Sequence, residues 1–395
     1  MDPIFQPFRD DPHYPLDRYE AAADLMLLNM GPQHPSTHGV FRLKLVLDGE
    51  IIVKAVPYMG YLHRGVEKMV EGLTFAQMTP IFNKHDYVSP MTNEQAYAVA
   101  VETALGIEVP RRARYIRTIL AEIQRIASHL LWLSTFTLDM GGVIGGGAAM
   151  MMYNFRERED IFDLFEAVTG SRFHYNTHCI GGQRHDLPEG WVQRVRAFLD
   201  RQERAFDEYL RLIRNDIFDL RTKGVGVMSA DLALGLGITG PNLRASGVDF
   251  DMRRDAPFHA YDEVEVRVAV AQGCDAYARY EVRMAEMRES VRILRLLLDQ
   301  LPEGPICGSK PVKMANAVRV PDGRGYTAIE GPRGEIGTWL IGGGEDKGAK
   351  PFRLKIRPPS LHAMAAMSYL LPGHTVSDVV VVLGSLDPIM GEVDR

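Results

Sequence analysis

Three long stretches of this sequence carry apolar residues at helical spacing, and they limit the possible fold more than any other feature. The clearest is Arg111–Thr135, and Val192–Ile217 and Arg279–Leu301 repeat its pattern. Because residues three and four apart share one face of an α-helix, each stretch predicts an amphipathic helix with one buried side. The sequence therefore predicts a helical bundle, and its apolar stripes are interpreted as core without any chemical role.

A β-hairpin is predicted near the start of the chain. Over Val40–Val56, apolar and polar residues alternate up to Asp48-Gly49, which supplies a turn. The inward side chains are expected to alternate regularly, from Phe41 to Leu47 and again at Ile51, Val53 and Ala55. Further strands are expected at Val318–Val320 and Thr338–Ile341, and the valines of Asp378–Leu383 predict a buried strand.

These patterns predict an α+β fold, a large helical bundle with a small N-terminal β portion. Residues 1–60 are expected to form the loop and hairpin portion, and residues 61–395 the bundle with a C-terminal strand and tail. We find no internal repeat and no linker, so the two portions are expected to make one integrated unit.

Composition excludes several classes of function. The chain has 395 residues, of which 46% are hydrophobic and 24% charged, and its net charge of -6 gives no reason to expect nucleic acid as a partner. Met1–Asp17 lacks the apolar core of a signal peptide, and no apolar run approaches the ~20 residues of a membrane span, so a soluble cytoplasmic chain is expected. Cys179, Cys274 and Cys307 are scattered, which argues against a metal held by this chain's thiolates.

The segment Gly31–Gly39 concentrates polar groups in a short space. It reads Gly-Pro-Gln-His-Pro-Ser-Thr-His-Gly, and its two prolines prevent a helix from running through it. The segment could be an ordinary turn with incidental histidines. Fastened to the predicted hairpin, it could instead be a rigid loop that presents His34 and His38 to a ligand.

Several motifs in fixed order give the chain a family resemblance. They are GPQHPSTHG at 31–39, GYLHRGVEK at 60–68, Asp86-Tyr87, ASHL at 127–130, FRERE at 155–159, LRASG at 243–247, EMRES at 286–290 and the terminal SLDPIMGEVDR. Across essentially its whole length the sequence resembles the 49-kDa (NuoD-type) subunit of respiratory complex I, the proton-pumping NADH:quinone oxidoreductase. That resemblance implies the fold of the nickel–iron hydrogenase large subunit, from which the family descends.

The resemblance also implies which chemistry the old hydrogenase cavity has lost. Nickel there is held by two cysteine pairs, and the matching positions here read Lys84-His85-Asp86-Tyr87 and Asp387-Pro388-Ile389-Met390. Neither stretch offers a thiolate, so no nickel is expected. The cavity is expected to bind a quinone head group instead.

Three residues are implied as catalytic. Tyr87 and His38 would approach the two quinone carbonyls, since a phenol (pKa ~10) and an imidazole (~6.5) can both donate hydrogen bonds and protons. Asp139 would pair with His38, favour its charged form and orient its ring. Taken singly, Tyr87 could be a buried structural tyrosine and Asp139 a helix-end carboxylate. His34 and Val393 are further quinone-binding candidates, although His34 could merely fix the loop.

Electrons are implied to arrive from a 4Fe–4S cluster on a neighbouring small subunit. His174 matches the family's cluster-facing histidine, and Lys84 stands where the family has arginine. Lysine keeps the charge but not the planar guanidinium fork. A second departure is Gly141–Met152, which is richer in glycine than the family's segment and could be a flexible loop or a closely packed start of a helix.

The resemblance thus predicts a quinone-site subunit of a membrane-bound, proton-translocating complex. Its partners would be the other peripheral-arm subunits and the membrane arm, with NAD used elsewhere in the complex, and it would lie on the cytoplasmic face of a bacterial or archaeal membrane. Two alternatives stay open: an equivalent complex fed by F420H2 or ferredoxin, and a non-catalytic scaffold subunit. A working hydrogenase is nearly excluded by the missing cysteines.

Overall fold

The computed structural model describes residues 25–140, 147–213, 216–308 and 318–395. Its strands form two three-stranded antiparallel sheets and one short two-stranded ladder. The strands are β1 (Met26–Met30), β2 (Arg42–Asp48), β3 (Ile51–Tyr58), β4 (His178–Cys179), β5 (Gly182–Gln183), β6 (Arg324–Gly331), β7 (Gly334–Ile341) and β8 (Arg353–Arg357).

Helices make up the bulk of the described residues, so the α+β prediction is confirmed. They are α1 (Val66–Met69), α2 (Phe75–Phe82), α3 (Pro90–Leu105), α4 (Arg111–Asp139), α5 (Gly147–Thr169), α6 (Trp191–Ile213), α7 (Asp216–Thr222), α8 (Ala230–Gly235), α9 (Pro241–Arg244), α10 (Met252–Asp255), α11 (Ala276–Asp299), α12 (Glu345–Gly348), α13 (Pro359–Ala365), α14 (Met367–Leu370), α15 (Asp378–Leu386) and α16 (Met390–Asp394).

Helix α4 is the centre of the bundle. It begins after Pro110, as predicted, and continues past Thr135 to Asp139. Most of its residues are buried, and it packs against α5, α11 and α15. The predicted helices at 192–217 and 279–301 are also present, as α6 and α11, but α6 ends at Ile213 and a separate helix starts at Asp216.

The predicted hairpin is confirmed as β2 and β3, joined at the Asp48-Gly49 turn, and the unpredicted strand β1 extends it. Its predicted side-chain alternation is confirmed at Ala55, which is buried, but wrong at the two predicted positions nearer the turn. Ile51 and Val53 are 45% and 43% exposed, while Ile52 is buried. The register shifts between Val46 and Leu47, which leaves Val53 without a partner across the ladder and reverses which residues face inward.

Two predicted strands are wrong. Asp378–Leu383 lies in helix α15. Val318 and Val320 are buried, but Val318–Val320 is in neither strand nor helix. A continuous run of buried valines has no periodicity, so sequence alone does not separate a strand from a buried helix. Thr338–Ile341 is confirmed as part of β7, which belongs to a second sheet, β6–β7–β8.

A buried ionic network ties the bundle together. Arg244 donates to Glu286 (2.8 Å) and to Glu330 (2.9 Å), and Arg253 donates to Asp251 (2.7 Å) and to Glu122 (3.2 Å). All six side chains are at most 1% exposed. Glu330 Oε2 has no hydrogen-bond partner among the described residues, whereas every side-chain nitrogen and oxygen is bonded in the other five, which come from α4, α9, α10, α11 and the segment before α10: Glu122, Arg244, Asp251, Arg253 and Glu286. We call these five residues the core network.

No helix among the described residues is long and apolar enough to cross a membrane. The interpretation of the cysteines as scattered is wrong for two of them. The Sγ atoms of Cys179 and Cys307 lie 3.9 Å apart, because residues 306–307 run beside the β4–β5 ladder. Both are free thiols.

Candidate functional site

The segment Gly31–Gly39 folds back tightly against the start of β2. Gly31 has a φ of +76°, and a Cβ there would lie 2.0 Å from the Phe41 carbonyl oxygen, so the position requires glycine. Inside the segment, Pro35–Thr37 forms one turn of 3₁₀ helix, and Thr37 Oγ1 donates to the His34 carbonyl (2.7 Å). The sequence did not predict this turn, which nonetheless fixes the loop.

His38 and Asp139 meet directly. His38 Nε2 lies 2.5 Å from Asp139 Oδ2, joining the loop to the last residue of α4. Both side chains are nearly buried, at 13% and 12% exposure. Burial alone lowers the pKa of His38, but the hydrogen bond and charge of Asp139, with a contribution from Asp387, outweigh it and raise the pKa. The surroundings of the imidazole therefore favour its protonated form.

Tyr87 lies in the turn between α2 and α3 and is half-buried. Its hydroxyl makes no hydrogen bond to any of the described residues. Burial, reinforced by the charge of Asp86, raises the pKa of Tyr87, although Arg333 opposes the shift. The phenol therefore stays protonated and keeps a donor available.

A cavity of about 250 Å³ brings these three residues together. Its lining includes His38, Tyr87 and Asp139. Apolar side chains of α4 form another wall, and Arg333 and Asp387 complete the polar part; the remaining lining residues are Pro35, Val88, Leu131, Trp132, Thr135, Leu138, Pro388 and Ile389. A small apolar cavity with a few convergent polar groups is typical of a ligand site.

The C-terminal segment closes one side of the cavity. A Cβ on Gly391 would lie 3.1 Å from the Tyr87 ring, and a Cβ on Gly384 would lie 2.9 Å from Asp139 Oδ2. These two glycines let the segment approach both residues closely. Val393 does not line the cavity; it is buried in the core at 1% exposure, and Ile389 takes the place that the sequence analysis gave to it.

The remaining predicted residues lie outside the cavity lining. His34 is exposed on the loop. Lys84 is exposed and His174 is half-buried. Burial is the main cause that lowers the pKa of His174, and the charge of Lys84 is the second, so the two side chains lie close together. His174 Nδ1 also contacts Asn83 Oδ1 at 2.9 Å. The two predicted cluster-facing side chains therefore share one surface.

Sequence reasoning missed Arg333 as a cavity residue, and it named Asp387 only as part of the stretch 387–390 that replaces a cysteine pair, without a role of its own. Arg333 lies in the turn Gly331–Gly334, which was visible only as a stretch rich in glycine and proline. Among the described residues, no group of three or more His, Cys, Asp or Glu is arranged to hold a metal ion. Residues 141–146 of the glycine-rich segment lie outside the described residues. Gly147 begins α5, where a Cβ would lie 2.9 Å from the Thr137 carbonyl oxygen, so this part is a closely packed helix start.

Comparison with known proteins gives the chain its relatives. The family described as "Respiratory-chain NADH dehydrogenase, 49 Kd subunit" matches residues 145–395. A protein of Dehalococcoides mccartyi, named as a subunit of NADH-quinone oxidoreductase, is 48% identical over 370 residues, which cover 93% of this chain and 98% of the relative.

Proteins of the same name from two other bacteria agree with this result. The Geotalea uraniireducens protein is 44% identical, with 95% of this chain and 100% of the relative covered. The Clostridium beijerinckii protein is 46% identical, with 95% and 99% covered. On this similarity, which extends over nearly all of the chain, the protein belongs to the family of the 49-kDa subunit of respiratory-chain NADH dehydrogenase.

Proposed function

We propose that this chain is the quinone-site subunit of a membrane-bound, proton-translocating NADH:quinone oxidoreductase. In this role it binds the quinone head group and supplies hydrogen-bond donors while electrons arrive from a 4Fe–4S cluster held by a neighbouring subunit. The family membership and the names of the relatives support the setting. The cavity that joins His38, Tyr87 and Asp139 is the observation that carries the assignment of the site.

The size of the cavity supports a head group as the bound moiety. Its volume of about 250 Å³ is slightly below the ~300–1,000 Å³ usual for small-molecule pockets. A single substituted ring suits this volume, whereas a long isoprenoid tail would have to extend beyond it. The apolar wall from Leu131, Trp132 and Leu138 suits the faces of such a ring.

The polar residues suit the reaction. Reduction places negative charge on the two carbonyl oxygens of the ring, and each oxygen then needs a hydrogen-bond donor or a proton. Tyr87 has a hydroxyl without a partner among the described residues, and His38 is held by Asp139 in a form that favours protonation. The phenol and the imidazole would each donate to one oxygen, and Asp139 would balance the charge of the imidazolium.

Electron delivery would come from the surface that carries Lys84 and His174. A positive charge beside an iron–sulfur cluster raises its reduction potential, and hydrogen bonds to the cluster tune it further. This face would therefore meet the small 4Fe–4S subunit. The other peripheral-arm subunits and the membrane arm would hold the chain at the cytoplasmic side of the membrane, and NAD would bind elsewhere in the complex.

Tyr87→Phe tests the proposal in the assembled complex. The substitution keeps the ring that packs against Gly391 and removes only the donor. Where the chemical step limits turnover, losing one charge-stabilising donor costs roughly 100–1,000-fold in rate. We expect NADH:quinone reductase activity to fall by at least tenfold, while NADH oxidation by ferricyanide, an acceptor that needs no quinone site, stays at the wild-type rate.

The matched control is Tyr97→Phe. Tyr97 is fully buried in α3 and its hydroxyl bonds the Phe75 carbonyl, away from the cavity. Any effect of that variant should lower both activities together through reduced assembly. If Tyr87→Phe keeps the wild-type rate with quinone, the cavity is not the reaction site, and a scaffold role becomes the better interpretation.

A further inference from the structure

One buried arginine of the cavity lining joins two segments that also contribute residues to the cavity. Arg333 is 3% exposed and lies in the turn between β6 and β7. Its Nη1 donates to Asp86 Oδ2 (2.6 Å), its Nη2 donates to Asp387 Oδ1 (3.2 Å), and its Nε donates to the Asp387 carbonyl (3.0 Å). The planar fork of a guanidinium can hold two carboxylates at fixed angles, whereas an ammonium group is a single point charge.

The turn that carries Arg333 is itself fixed. Gly334 has a φ of +129°, and a Cβ there would lie 2.6 Å from Thr239 Oγ1. A Cβ on Gly240 would lie 2.4 Å from the Gly334 Cα, so the two backbones touch. On the other side, Arg125 donates to the carbonyls of Glu330 and Gly331, each at 3.0 Å. The guanidinium is therefore presented from a rigid base.

The two carboxylates that Arg333 holds come from two different segments, one carrying Tyr87 and the other Asp387, and both of these residues line the cavity. Asp86 directly precedes Tyr87, and its Oδ1 accepts from the backbone of Val88 and Ser89, which shapes the turn bearing the phenol. Asp387 lines the cavity together with His38. It has a φ of +56° and is followed by Pro388, a strained conformation for a residue with a side chain. Strain of this kind persists only where surrounding contacts enforce it, and Arg333 makes two of those contacts.

We propose that Arg333 is a positioning residue of the quinone site, which sets the spacing between Tyr87 and His38 by clamping Asp86 and Asp387. The proposal rests on the function proposed above. Arg333 has two separable properties in this role. Its fork fixes geometry, and its positive charge acts on the groups around it.

Several charged groups face this cluster from the elements packed against it. The charge of Asp139 on α4 acts on His38. Arg283 on α11 interacts electrostatically with Asp387, and Glu392 on α16 does so with Arg333. Asp86 precedes Tyr87, and Asp387 ends α15. Against this background, Arg333 is the cation that shares the cavity lining with His38. The charge of Asp387 contributes to raising the pKa of His38, and Arg333 partly neutralises that carboxylate through their hydrogen bond. Removing the Arg333 charge therefore favours the protonated imidazole.

Arg333→Lys and Arg333→Gln separate the fork from the charge in the assembled complex. Lysine keeps the charge but cannot hold both carboxylates, so Tyr87 and His38 lose their fixed spacing. Misplacement by about 1 Å can cost roughly 100-fold in rate, and we expect kcat for quinone reduction to fall ten- to a hundredfold, more than KM rises. The pH at which activity declines on the alkaline side should stay where it is in the wild type.

Glutamine removes the charge as well. The kcat should fall at least as far, and the alkaline limb of the pH profile should move upward, by on the order of one pH unit, because His38 stays protonated to higher pH. Arg357→Lys is the control. Arg357 lies in β8 of the same sheet, donates to the backbone carbonyls of Glu335 and Gly237, and does not line the cavity. If Arg333→Gln does not assemble, Arg333→Gln with Asp387→Asn removes both charges together and should assemble with a low kcat.

The outcomes distinguish this inference from the function on which it rests. Wild-type kcat and KM in Arg333→Lys, with Tyr87→Phe impaired, would overturn the clamp and leave the quinone site standing. Identical alkaline limbs in the Lys and Gln variants would overturn the role of the charge. Wild-type rates in the Arg333 and Tyr87 variants together would mean that the cavity is not the quinone site.

Discussion

Two buried clusters of charge in this protein differ in whether their hydrogen-bonding groups are already used. In the core network, every side-chain nitrogen and oxygen has a partner within the described residues. At the cavity, the Tyr87 hydroxyl has no hydrogen-bond partner among the described residues, and Asp387 Oδ2 is buried without a hydrogen-bond partner. A completed network stabilises one structure, whereas unused groups at a cavity are available to a ligand.

The ionisation of the two clusters follows the same division. Burial alone would raise the pKa of Glu286, but the charge of Arg244 and the contact with His129 hold it well below its usual value. At the cavity, burial raises the pKa of Tyr87, whereas at His38 the contact with Asp139 outweighs burial and raises the pKa. The pKa shifts in the core network favour charged ion pairs, while those at the cavity favour the proton-bearing forms of Tyr87 and His38.

The largest effect on assembly should come from breaking an ion pair in the core network. Glu286→Ala leaves Arg244 with a buried charge that has lost the carboxylate oxygen to which its Nε and Nη2 both donate, and breaking such a pair by removing one member costs about 3–5 kcal/mol. We expect the chain to be nearly absent from the assembled complex, as measured by its abundance in purified membranes. Arg295→Met is the control, because that arginine is 35% exposed and bonds only surface carboxylates, which contribute about 0–1 kcal/mol. Normal assembly of the Glu286 variant would contradict the distinction between the clusters.

Asp139→Asn should instead spare assembly and reduce activity. The amide keeps the shape but removes the charge that supports protonated His38. General acid catalysis contributes about 100–10,000-fold, so we expect roughly 100-fold slower quinone reduction at neutral pH. Protonated His38 is present below its pKa and lost as pH rises through it. Because the variant lowers that pKa, the alkaline limb of the rate profile should move to lower pH.

The measurement is quinone reductase activity across pH, beside ferricyanide reduction by the same preparation. Asp378→Asn serves as control, since Asp378 bonds Thr375 at the start of α15, away from the cavity. An unmoved limb with a lower rate would show that Asp139 does not act through His38.

Much of the fold could be predicted from the sequence, and the predictions that were wrong failed for physical reasons. The spacing of apolar residues predicted α4, α6 and α11, because burial of one face leaves a 3.6-residue period. The same logic failed at Asp378–Leu383, whose helix is buried on nearly all sides. The pattern beyond Val46 also failed, since the extra residue at Val53 is a property of strand pairing and leaves no local signal.

The site was predicted less completely than the fold. His38 and Tyr87 lie in motifs of the family, Asp139 was implied by the resemblance alone, and the structure brings the three to one cavity. Arg333 is distant from Tyr87 in the sequence and carries no motif of its own. Tertiary contacts place it, among them the packing of Gly334 against Gly240 and the bonds of Arg125 to the Glu330 and Gly331 carbonyls. Val393 was chosen from the right segment, but the left-handed turn at Asp387 directs Ile389 to the cavity instead.

Substitutions of Ile389 and Val393 test which of these two residues contacts the bound quinone. Ile389→Ala removes apolar surface from the cavity wall, and about 1–3 kcal/mol of binding per lost group corresponds to roughly a five- to hundredfold rise in KM for quinone. We expect the lower end, because the ring has other apolar contacts. Val393→Ala should leave KM unchanged and slightly lower the thermal stability of the complex. The reverse result would place the quinone against Val393 and restore the original prediction.

The smallest effect is expected at Lys84, which belongs to neither buried cluster. Its side chain is exposed beside His174, on the face proposed to meet the partner's iron–sulfur cluster. A cation near such a cluster stabilises its reduced form and so raises its potential. Lys84→Met should therefore lower the potential in a redox titration followed by EPR on the assembled complex, while Lys84→Arg keeps the charge and should leave it nearly unchanged.

Lys68→Met is a matched control, because Lys68 is an exposed lysine whose charge is paired with Glu71. Exposure lets water and ions screen Lys84 when the surface is free, so any sizeable shift requires that the partner cover this face. Equal potentials in all of these proteins would show that Lys84 does not face the cluster, whereas a fall confined to the Met variant at position 84 would place the electron-donating surface at Lys84 and His174.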